Sequence, residues 1–121
     1  MSDSAAASVA VGEGWADLRA VVGAYSCGQV DDVDLVEALT TLLVLDVRGK
    51  PDTTVYVRNT GAEPASILLS WWITDISYSE TVVVGSGLTV ITPLRRVAHR
   101  LSVGGSSVDG TKVDVAACAT I

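Results

Sequence analysis

The side chains able to do covalent or metal chemistry are few and scattered along this chain: one histidine, His99, and two cysteines, Cys27 and Cys118. Acyl transfer by a serine or cysteine needs a base held beside the nucleophile, and no serine here sits in a Gly-x-Ser-x-Gly elbow. His99 therefore reads as a histidine of a core or strand face, and the chain as a non-enzyme that needs no cofactor. Cys27, His99 and Cys118 could supply three metal ligands, but none of them has the short-range partner that zinc motifs carry. A bond between the two cysteines would close a long loop and stabilise by roughly 4 to 5 kcal/mol. Residues 1–8, MSDSAAAS, lack the basic and long apolar regions of a secretory leader, so the expectation is a protein that stays where it is made unless it leaves inside a larger particle. Reducing surroundings would then keep both cysteines as small buried thiols.

Three clusters could bind rather than react. Asp31, Asp32 and Asp34 place three carboxylates within four residues, a weak calcium or sodium candidate without the glycine or spacing of a known calcium loop. Capping and solvation compete with that reading. Arg95, Arg96 and Arg100 gather half of the six arginines in one stretch of an acidic chain. On a strand Arg96 and Arg100 share a face and could meet an acidic neighbouring subunit; pairing with the chain's own aspartates is the alternative. Trp71 and Trp72 are adjacent, so on a strand they face opposite ways. One fills the core, and Trp72 is the partner-binding candidate unless the N-terminal segment covers it.

With 121 residues and 49% hydrophobic residues, the chain suits one domain with a usable core. Its longest apolar runs are far short of the roughly 18 residues that cross a bilayer. A net charge of −6 and a pI near 4.4 oppose binding to nucleic-acid phosphates. Ten of the fourteen acids are aspartate, and six of the eight basic residues are arginine. That skew resembles proteins of salt-loving archaea and their viruses, although a GC-rich genome gives much of the same bias.

The positioning elements read as strands. Residues 1–29 form an N-terminal arm of small residues with one short element, helix or strand, near residues 14–27; residues 30–121 form the domain. Asp34 and Glu37 have capping-box form and could start one short helix. Residues 41–47 and 54–59, joined through Gly49 and Pro51, suggest a hairpin, and residues 79–84 with 88–92 suggest another across Gly85, Ser86 and Gly87. Residues 66–74 alternate, with Ile67, Leu69, Trp71 and Ile73 on one face and Leu68 and Trp72 on the other, as in a central strand. Val97, His99, Leu101 and Val103 alternate inward, while Thr92 and Pro93 could instead open a helix to Leu101. Residues 111–117 close the set. The fold expected is all-β: a single antiparallel β-sandwich of six to eight short strands.

The run VYVRNTG from Val55 to Gly61, then GLTVIT from Gly87 and KVDV from Lys112, resembles the V-x-V-x-N-x-G pattern of Ig-like and jelly-roll sandwiches, which include minor capsid and decoration proteins of archaeal and bacterial viruses. The resemblance covers about residues 41–117, and its Asn-x-Gly is chiefly a corner device. It implies a non-enzymatic virion subunit that binds other capsid proteins, with homo-oligomers in the particle, no nucleic acid and no membrane span. The alternative is a carbohydrate- or protein-binding module using Trp72 and the region of Ser77 to Ser79.

Overall fold

The computed structural model describes residues 25–121. The expectations for the arm and for the element near residues 14–27 lie outside them as far as residue 24; residues 25–29, read as part of the arm, begin the first strand. Eight strands follow one another: β1 (Tyr25–Leu35), β2 (Thr40–Asp46), β3 (Asp52–Asn59), β4 (Ala65–Ile73), β5 (Ile76–Val84), β6 (Gly87–Ile91), β7 (Arg100–Ser106) and β8 (Thr111–Thr120). They make two antiparallel four-stranded sheets, β1-β8-β3-β6 and β2-β7-β4-β5. The all-β sandwich read from the sequence is the fold observed.

The topology is one long antiparallel ribbon rolled on itself. Its first half pairs with its second in order: Tyr25 with Thr120, Thr40 with Gly105, Val55 with Ile91, and Ile73 with Ile76 beside the two-residue turn Thr74 and Asp75. This is a jelly roll, not an Ig-type order. Rolling brings β8 between β1 and β3, and β7 between β2 and β4, so those four inner contacts bury both sheets' centres. Alternation selects the inward residues: Val55 and Val57 on β3, Ile67, Leu69 and Trp71 on β4, Leu101 and Val103 on β7, Val113 and Val115 on β8. Gly28 supplies space instead of a side chain, because a Cβ there would press on Leu43 and Leu45 of the facing sheet.

Several local expectations are corrected. The two proposed hairpins are crossovers: β2 and β3 lie in different sheets, as do β5 and β6. Turn residues mark where a chain reverses, but the returning strand can either pair alongside or pack across the roughly 10 Å between sheets. The true tight hairpin, β4 to β5, turns at Thr74, whose φ of 53° lies in the left-handed region. No helix forms among the described residues. Asp34 lies within β1, where pairing with β8 replaces a helical first turn. Residues 92–99 are neither helix nor strand; Ala98 is buried there, while Val97 and His99 are exposed. That segment crosses between sheets and spends its backbone groups on loop contacts, with His99 N–H donating to Trp72 O and Arg96 N–H to Pro51 O. Ile73 is exposed beside the turn, and β8 runs three residues past its expected end.

Candidate assembly surface

Cys27 and Cys118 form a disulfide, which overturns the free-thiol expectation and removes both from any metal site with His99. The pairing follows from register: the two residues sit directly opposite each other on β1 and β8, with Cα atoms 4.1 Å apart. Spacing in sequence carries no trace of this, because the ladder that juxtaposes them joins the ends of the rolled ribbon. The bond fastens β1, which among the described residues is an edge strand, to the interior strand β8.

The carboxylates of the same edge also have structural roles. β1 is bulged between Val30 and Val33, and Asp32, at φ 55°, donates its N–H to Asp114 Oδ1 at 2.8 Å. Gln29 Nε2 donates to Asp31, and Lys112 Nζ lies 3.7 Å from Asp34. Among the described residues no group of three His, Cys, Asp or Glu side chains is placed to hold a metal ion. Below β1, Asp46 on β2 accepts from both the side chain and the backbone N–H of Arg48, which holds its carboxyl well below the usual carboxylate range.

The three clustered arginines do not form one strip. Arg95 pairs with Asp52 at 2.8 Å, and Arg100 lies over the Trp72 ring at 5.0 Å. Arg96 reaches under β5, its guanidinium 4.0 Å from the Tyr78 ring centre, 5.2 Å from that of Trp71 and 3.8 Å from Glu80 Oε2. Each therefore has a partner inside the subunit, but only Arg95 meets one of the chain's own aspartates; Arg96 and Arg100 lie on aromatic rings. Trp72 is half-buried, and Arg100 takes one face of the ring that a sugar would stack on. Arg96 is the pin of residues 92–99. Replacing it by alanine is expected to lower stability by about 1 to 2 kcal/mol, from the stacked cation and the lost packing of its stem. The loss is held down by its Nε, which is buried without an acceptor. Denaturant unfolding checks this, and a change below about 0.5 kcal/mol would show that the pin carries nothing.

The arrangement also offers its edges for binding. A sandwich has four, and here they differ by side. β1 and β2, packed against each other, carry Asp31, Asp32, Asp34 and Asp46, and each is interrupted by a bulge. Charges and bulges are the devices that stop a strand edge from pairing with another chain. On the other side β5 pairs with β4 without interruption from Ile76 to Val84, and β6 with β3 from Gly87 to Ile91. Glu80 is the one charge in these two strands, and it turns inward to Arg96. Val83 is 69% exposed and Leu88 60%. In the sequence the signal of this edge is not an arginine or an aromatic but the near-absence of charge from residue 76 to residue 91.

No protein-family model matches the chain, and no curated protein matches it in sequence. Solved structures are similar in fold. One comes from the Bacillus endospore appendages, described as forming a novel family of disulfide-linked pili: it is 14% identical, with a TM-score of 0.50, over 80% of this chain and 88% of that one. PirA is 12% identical with a TM-score of 0.44, over 81% and 94% of the two chains. FLHE is 14% identical with a TM-score of 0.46, over 78% and 93%. At 14% identity the likeness to the appendage chain is one of fold.

Proposed function

We propose that this protein is a non-enzymatic structural subunit that assembles with copies of itself into a filament or shell. The observation that carries the reading is the inequality of the two sides of the sandwich, one blocked by bulges and carboxylates and the other left open, regular and almost uncharged. An unprotected edge is an aggregation hazard that natural proteins retain where they use it. The disulfide supports an assembly that works in oxidising surroundings, where such bonds persist. The likeness in fold to a chain of disulfide-linked pili supports the same role. Jelly rolls also build viral capsids, so a virion shell or decoration subunit is the narrower form of the proposal.

The test is to concentrate the full chain under oxidising conditions and follow it by sedimentation and electron microscopy. Filaments support an appendage-type polymer, and closed shells or attachment to virus particles support the capsid form. A chain that stays monomeric at every concentration overturns the proposal.

A further inference from the structure

Building on that reading, we infer that the free edge of β5 accepts residues 5–12 of a second copy as an added strand. β5 is the longest unblocked edge: nine residues, no bulge and, among the described residues, a hydrogen-bonded neighbour only in β4. Its exposed side chains are uncharged, with Ser77, Ser79, Thr81 and Val83 alternating on the outer face and Ile76 and Tyr78 on the other, so a second strand could approach without meeting a charge. Strand addition of this kind draws affinity from main-chain hydrogen bonds and needs little from the side chains.

The occupant comes from the chain ahead of the described residues. Residues 5–12, AAASVAVG, are an uncharged run of small and β-branched side chains, between Asp3 and Glu13. The run matches the uncharged edge in character. Twelve residues separate its end from Tyr25, enough to reach about 40 Å when extended, against about 15 Å for the width of a four-stranded sheet. The chain enters the fold at β1, on the blocked side of the sandwich, and the open edge is on the opposite side. The strand that the donor segment leads into and the acceptor edge thus lie on opposite sides of the sandwich. A contact made between different surfaces of successive copies does not close on itself as a twofold dimer does, and repeats into a linear array or a ring.

The experiment uses the full chain. Val83→Lys places a charge on the β5 edge at a position already exposed, and Val44→Lys does the same on the blocked β2 edge. Val83→Lys is expected to reduce assembly at least tenfold, measured as the concentration at which half the protein sediments as oligomer, while Val44→Lys leaves it unchanged. In parallel, a photoreactive benzophenone side chain is placed at position 83 and light and heavy isotope-labelled copies are mixed. Cross-links from one copy into residues 1–24 of the other support the inference. If the protein assembles but Val83→Lys assembles like the parent, or the cross-links fall elsewhere or only within one copy, the strand-addition inference is wrong and the assembly reading stands. If the parent never assembles, both are overturned.

Discussion

Replacing Cys27 and Cys118 together by alanine is expected to lower the stability of the domain by about 4 to 5 kcal/mol, or its melting temperature by roughly 20 °C. The bond spans 91 residues, so it ties nearly the whole described ribbon at its open end and removes a large share of the unfolded chain's freedom. Its native-state contribution adds to this. β1 is an edge strand interrupted by a bulge, and the disulfide holds it to β8 on the chain-terminal side of that bulge. Cys27 is fully buried, so alanine also leaves a small void. Urea unfolding of the oxidised protein and the double variant measures the difference. A loss below about 1 kcal/mol would mean that the ladder alone holds β1 and that the cross-link contributes little.

Asn59→Ala is expected to cost about 3 kcal/mol. Asn59 ends β3 at 2% exposure, and its amide knots the corner that follows. Nδ2 donates to Glu63 O at 2.8 Å, while Oδ1 accepts from Gly61 N–H at 3.1 Å and from Thr111 Oγ1 at 2.7 Å. Alanine would leave three buried or half-buried groups without a partner, and an unmade buried hydrogen bond costs more than a made one contributes. Two elements loosen together, because Thr111 opens β8 and Thr60 N–H donates to Lys112 O across the same corner. Gly61→Ala should fail in parallel, since its Cβ would meet the Thr111 hydroxyl. Asn59→Asp keeps the acceptor but loses the donation to Glu63, and buries a charge, so it should be no milder than alanine. Thermal melts of the three variants check the ordering. A near-neutral Asn59→Ala would show that water replaces the amide and that the corner is not a structural knot.

Residues with local duties were legible before any fold was known. The alternation of Val55 and Val57, or of Ile67, Leu69 and Trp71, names a strand and its buried face, because side chains alternate with period two whatever the sheet. The corner at Asn59 was legible for a similar reason: an amide that bonds to backbone two and four residues away acts within its own stretch of chain. The candidate site was much less so. Arg96 resembled a member of a positive strip, yet it is turned inward by Tyr78, Trp71 and Glu80, and nothing local to residues 92–99 announces that contact.

By itself the sequence determined the class of the fold, the central place of β4 and the corner device, all of which rest on spacing within a few residues. Tertiary structure alone decided which strands pair, that Cys27 meets Cys118, and which edges remain open. Those features depend on register between segments as distant as β1 and β8. A turn motif fixes the direction of the chain but not its sheet, so the step from two hairpins to one rolled ribbon was taken only when the two apolar faces closed on each other.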